Sequence, residues 1–156
     1  MHETFMRMAI EKAREGIKKD QSPFGACIVG NNEKVVSIAH NEVWQTTDST
    51  AHAEVQAIRY ACKKLKTINL SGCSLYSTCE PCPMCFSAIH WARIDTIYFG
   101  VHIEDAQKTG FNELSISNES MKSMSGSTIK IYSGLRADEV KNLFAEWMKN
   151  SNKKTY

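Results

Sequence analysis

Two short clusters, His52-Ala53-Glu54 and Pro81-Cys82-Pro83-Met84-Cys85, constrain this chain more than any other feature. Each stands where a helix is expected to begin, thirty positions apart counted from His52 to Cys82. Two cysteines at i and i+3 share one helix face, so both sulfurs can reach one ion. Pro83 falls just inside its helix, where a missing N–H costs nothing. A helix N-terminus lowers the pKa of a thiol and favours the thiolate that holds metal. His52 can add a nitrogen from the neighbouring helix, so the two helix starts are expected to meet.

Three protein ligands leave one coordination position open, the mark of a catalytic zinc site. Zn²⁺ with two thiolates and a neutral imidazole sums to zero charge, and the two helix dipoles restore some positive potential. Glu54, two residues from His52, can lie beside the open position without being a ligand. There it can take a proton and deliver it elsewhere, as a general acid/base. Other readings of the cysteines remain open. Cys82 and Cys85 could form a redox pair. Cys79, Cys82 and Cys85 hint at iron–sulfur ligation, but no further cysteine follows at ferredoxin spacing. A structural zinc site would need Cys79 as a fourth ligand, whereas Cys79 reads better as a buried strand-end residue. Cys27, Cys62 and Cys73 read as small core residues. His40, His90 and His102 are assigned no metal role.

Apolar periodicity predicts a first helix over 2–19, then a hairpin of strands over 24–29 and 34–40 about Gly30-Asn31-Asn32. A second helix should bury Ala51, Val55, Ile58, Cys62 and Leu65. A strand over 74–77, a helix opened by Pro83 and a strand over 95–101 follow. Residues 112–127, rich in Ser, Asn and Met, read as a loop or loosely helical insert. A strand over 128–132 and a last helix with Val140, Leu143, Phe144 and Trp147 on one face complete the chain. Alternating helices and strands point to an α/β fold, a three-layer α/β/α sandwich, in a single domain spanning 1–156. Hydrophobic residues make up 42% and Gly plus Pro only 8 and 3 residues, which excludes a disordered or low-complexity chain. The formal net charge of +2 gives no support for a duplex-binding protein. The first residues lack a signal-peptide pattern, and no apolar run approaches the ~20 residues of a membrane span, so a cytoplasmic protein is expected.

The two clusters, with Pro23-Phe24-Gly25-Ala26, Asn41, Ala57-Ile58-Arg59, Cys79-Glu80 and Trp91-Ala92-Arg93, resemble the zinc-dependent cytidine/deoxycytidylate deaminase superfamily. The run Ser77 to Cys85, Trp91, Glu104-Asp105-Ala106 with Gly110-Phe111, and the ending Asn152-Lys153-Lys154-Thr155-Tyr156 are most similar to bacterial guanine deaminases. The resemblance implies a mixed five-stranded sheet between helices. It implies Zn²⁺ held by His52, Cys82 and Cys85, with Glu54 moving protons. It implies a homodimer in which the segment 135–156 is exchanged between subunits, so that Tyr156 enters the partner's site. Phe24 and Trp91 are the expected walls for a flat purine, Asn41 a donor and acceptor for its edge, and Glu113 a second acid for the leaving amine. Many relatives carry Asp at the place of Glu113. The implied reaction is hydrolytic deamination of a purine base, foremost guanine to xanthine and ammonia. The rivals are deamination of adenosine in tRNA, deamination of cytosine, a nucleoside or a triazine, and a non-catalytic zinc module. Lys63, Lys64, Lys66, Lys149, Lys153 and Lys154 would be the phosphate contacts of the tRNA reading.

Overall fold

A computed structural model describes all residues from Met1 to Tyr156. Five strands form one sheet: β1 (Gly25–Val29), β2 (Val35–His40), β3 (Ser74–Cys79), β4 (Thr96–Val101) and β5 (Lys130–Tyr132). Their spatial order is β2-β1-β3-β4-β5. β1 runs antiparallel to both β2 and β3, whereas β3, β4 and β5 are parallel. The sheet is therefore mixed, as expected. β1 is buried along its whole length and β3 along all but its first residue. Strands covered on both faces read as near-continuous apolar runs, which is what Ala26-Cys27-Ile28-Val29 does.

Seven helices surround the sheet: α1 (His2–Ile17), α2 (Val43–Thr46), α3 (Ala53–Leu65), α4 (Pro83–Trp91), α5 (Ile103–Lys108), α6 (Asn118–Ser125) and α7 (Ala137–Met148). α1 and α7 pack together on one face, and α3 and α4 on the other. Pairing register sorts the side chains between them. Cys27, Tyr76 and Tyr98 lie abreast across β1, β3 and β4, and Phe5 of α1 meets the Tyr76 ring. Ser37 and Ser77 face the other way, the first bonding to Ala57 and the second to Glu54 of α3. Gly25 is required where α1 comes closest to the sheet, since a Cβ there would stand 2.1 Å from the Ala9 carbonyl oxygen.

Several expected boundaries and faces differ. α1 buries Phe5, Met6, Ala9, Ile10, Ala13 and Gly16. α3 begins at Ala53 and turns Ala53, Ala57 and Ala61 into the core; Val55 is half-buried and Leu65 is 47% exposed. Small alanines let α3 approach the sheet closely, a preference that counting large apolar residues overlooks. The 112–127 segment contains a true helix, α6, capped by the Ser117 hydroxyl accepting from the Ser120 N–H and closed by left-handed Gly126. No helix is long and apolar enough to cross a membrane. α7 buries Val140, Leu143, Phe144 and Trp147 against its own chain, and Arg14 of α1 forks onto Glu146 through two bonds of 3.1 Å.

Candidate active site

The helix starts of α3 and α4 meet, and their cap positions carry the chemistry. His52 is the N-cap of α3 and Cys82 the N-cap of α4, and neither side chain caps its own helix. Pro83 at the first helical position holds Cys82 extended, with ψ at 167°. Both side chains are thus free to turn toward each other. His52 Nδ1 lies 3.6 Å from Cys82 Sγ and 3.5 Å from Cys85 Sγ. Zn–S of ~2.3 Å and Zn–N of ~2.0–2.1 Å about a tetrahedral angle give an S···N edge of about 3.6 Å, so the three residues fit zinc. Their ligand atoms all lie within 4.8 Å of one another.

The sulfurs are already arranged for a cation. A hydrogen bond from the Cys85 thiol, then the His52 bond and charge, bring Cys82 down to about 4. Cys85 is held well above the usual thiol range by that same bond, by burial and by Glu54. One proton is therefore shared between the pair, and its titration belongs to both. Burial works to lower the His52 imidazole, but Cys82 raises it on balance.

Glu54 lies beside this triad in the first turn of α3, where burial pushes its carboxyl up. Ser77 Oγ donates to its Oε1 at 3.0 Å, and Cys85 Sγ approaches its Oε2 at 3.5 Å. A carboxyl raised by burial holds a proton more readily than an exposed one, which suits a group that must take up and give back protons. Glu113 faces the same cavity with Phe24, His52, Glu54 and Cys82. Burial, then the Cys82 charge, lifts Glu113 to about 7.

The expected purine contacts divide. Phe24 is both wall and core: it lines the cavity and packs edge-on against Phe111 and Phe144. Asn41 is fully buried; its Oδ1 accepts from the Val43 N–H at 3.1 Å and its Nδ2 donates to the Tyr156 hydroxyl at 2.6 Å. Tyr156 roofs the site of its own chain, with its ring 5.5 Å from His52 and 5.4 Å from Phe111. Trp91 requires a correction. It ends α4, far from the helix start that carries Cys82, and is 78% exposed against His90. Within one chain it forms no wall of the site. A cavity of about 440 Å³ lined by His90, Arg93, Asp95 and Lys130 lies at that remote end of α4 and is separate from the triad.

Two further anchors went unread in the sequence. Ser77 orients Glu54 from β3, a contact across 23 positions that no local pattern announces. Glu80, buried beside the cysteine run, accepts from the Asn118 N–H at 2.8 Å and the Ile103 N–H at 3.3 Å and meets His102 Nδ1 at 3.2 Å. Asn118 Nδ2 returns a bond of 2.6 Å to the Pro81 carbonyl. Together they pin the Cys82 loop to the starts of α5 and α6. The acidic residue amid the cysteines was the available signal.

This geometry agrees with comparisons to known proteins. The chain is 40% identical over 156 residues to a guanine deaminase of Bacillus subtilis, covering 99% of each. It is 44% identical over 97 residues to a tRNA-specific adenosine deaminase of Aquifex aeolicus, covering 62% of this chain and 64% of that one. A guanine deaminase structure from Nitrosomonas europaea superposes at a TM-score of 0.87 with 28% identity, covering 95% of this chain and 85% of that one. The crystal structure of a Bacillus subtilis guanine deaminase gives a TM-score of 0.70 at 37% identity, covering 100% of this chain and 99% of that one. The family described as the cytidine and deoxycytidylate deaminase zinc-binding region matches residues 1–101, a span that includes the whole metal triad and Glu54. With fold, triad and sequence in agreement, the chain belongs to that zinc-binding deaminase family.

Proposed function

We propose that the protein deaminates guanine, converting guanine and water to xanthine and ammonia. One observation carries this reading: the metal triad and Glu54 lie under an aromatic roof made by the last residue, Tyr156. A roof set against the metal site suits a free base and obstructs a polynucleotide. The full-length match to a guanine deaminase, beside a match of 97 residues to a tRNA deaminase, supports the same choice.

Zinc, when bound by His52, Cys82 and Cys85, supplies Lewis acidity that acidifies water at neutral pH. The chain does the rest. Phe24 gives the flat base an aromatic wall, and Asn41 pairs with its polar edge. Glu54 takes one proton from the attacking water and passes it to the ring nitrogen beside C2; it then carries the second, from the hydroxyl left on C2, to the leaving amine, so that the C2–N bond breaks as the C2 carbonyl forms. Glu113, whose carboxyl burial lifts to about 7, receives the amine as ammonia departs. Tyr156 excludes bulk water while the base is held.

The assembly we propose is a homodimer in which the segment 135–156 is exchanged, each Tyr156 roofing the partner's site. The reuse of contacts within one chain supports it, since a swap adds no new interface chemistry. Trp91, exposed in the single chain, is then available at the subunit contact. All six cysteines are free, which supports a reducing compartment, the cytoplasm.

The test is ammonia release from guanine, adenine, cytosine, their nucleosides and tRNA. Guanine should be the preferred substrate. Turnover of tRNA with none of guanine would replace this reading by the tRNA one.

A further inference from the structure

The cavity that holds Glu54 with Phe24, His52, Cys82 and Glu113 retains only about 20 Å³, room for about one water and far too little for a purine, while Tyr156 lines an adjoining cavity of about 180 Å³ that shares His52, Cys82 and Glu113. With Tyr156 set against His52 and bonded to Asn41, the tail must lift for a base to reach Glu54. Its hold is uneven. Asn152 is anchored by Asn150 and Asp20, and Tyr156 by Asn41 and the Asn112 N–H. Between them, the one hydrogen bond on Lys154 or Thr155 comes from Trp44, whose indole N–H donates to the Lys154 carbonyl at 3.4 Å. The Lys154 ammonium sits over the same ring, 5.3 Å from its centroid. The Tyr156 ring meets that indole edge-on at 6.4 Å. Three independent contacts from one side chain converge on the tail.

Trp44 stands on a fixed platform. The Val43 N–H is held by Asn41 and the Gln45 N–H by Gln21 at 3.0 Å. Glu42 is held by Gln56 and by Tyr60. The tail residues 151–155 are exposed and polar. A rigid short helix thus grips a strip of chain with little other hold. We propose that Trp44 is a positioning residue, a latch that keeps the tail closed over the base and sets how readily the site opens. It touches neither the metal triad nor Glu54, and it acts through Lys154 and Tyr156.

The inference rests on the guanine reading only for its choice of substrate. The test uses the zinc-loaded full chain. In Trp44→Ala, hydrogen exchange of the Asn112 amide, which donates to the Tyr156 carbonyl at 3.0 Å and is freed when the tail lifts, should quicken about 5-fold or more, as loss of one hydrogen bond and one exposed cation–π contact implies. KM for guanine should rise about 3- to 10-fold with kcat within about twofold, since the latch holds the base without entering the chemistry. Trp44→Phe keeps a ring under Lys154 and loses the donor, so it should fall between. Zinc content and melting temperature should stay at wild-type values, because Trp44 is 40% exposed. Unchanged exchange of the Asn112 amide in Trp44→Ala overturns the latch, as does a KM that does not move in an enzyme that turns over guanine. A wild type inactive on guanine would remove the functional reading alone and leave the exchange measurement decisive.

Discussion

In the proposed reaction Glu54 carries the heaviest chemical demand of any side chain. There it would accept and donate protons at different stages, and burial beside Ser77 and Cys85 raises its carboxyl in the direction that this needs. Glu54→Gln should keep zinc and fold and lower kcat by about 10²–10⁴-fold, measured as xanthine formation. Near-full turnover would move the proton role to Glu113. The two cysteines make a different prediction. Cys85 is held above the usual thiol range and is protonated near neutral pH in the metal-free chain, whereas Cys82 is already ionised. Zinc uptake should therefore release about one proton at pH 8, and apparent affinity should climb about tenfold per pH unit as pH rises. Calorimetry in buffers of different ionisation enthalpy counts that proton; uptake without release would contradict the shared-proton arrangement. At this scale the sequence was informative where residue types are rare and spacing is rigid. His52, Cys82 and Cys85 could be grouped because two helix starts left few alternatives. Trp91 could not be placed, because an aromatic near a motif reads the same whether it faces a cavity or solvent.

Among the elements, those with strong periodicity were legible and those built on small residues were not. β1, β3 and β4 follow from β-branched and aromatic runs. The core face of α3 was misread because Ala53, Ala57 and Ala61 bury it, and alanine weighs little against Val55 or Leu65. The six residues of α5 and the eight of α6 lack an apolar stripe long enough to announce them. Close packing also makes the clearest prediction about stability. Gly25→Ala would drive a Cβ to within 2.1 Å of the Ala9 carbonyl oxygen, so α1 must shift off the sheet. The cost should be about 1–3 kcal/mol or more, read as a lower urea midpoint with an unchanged slope. A midpoint equal to wild type would mean that α1 has slack there.

At the scale of the whole molecule, the catalytic half and the closing half come from opposite ends of the chain. The metal triad and Glu54 lie within residues 52–85, while the C-terminal third brings Glu113 beside Glu54 in one cavity and Tyr156 beside His52 and Cys82 in the adjoining one. The sheet brings them together: α4 follows β3, and the segment after β4 crosses the same end. Where the tail comes from is open to direct assay. A chain with Glu54→Gln and an intact tail should rescue a chain with Glu54 that lacks 152–156, once the two are mixed, unfolded and refolded together. Recovery of up to about one quarter of full activity is expected for random pairing with an exchanged tail. No recovery would show that each tail serves its own chain. The central claim is that this tail turns a zinc deaminase site into one for a free purine base. The most direct measurement is kcat/KM for guanine in the full chain and in a chain ending at Ser151, with zinc content determined on both. Removal of the tail should leave zinc at about one per chain and lower kcat/KM by about 10²-fold or more, the scale of a lost positioning contact. Equal guanine turnover by the two proteins would contradict the account.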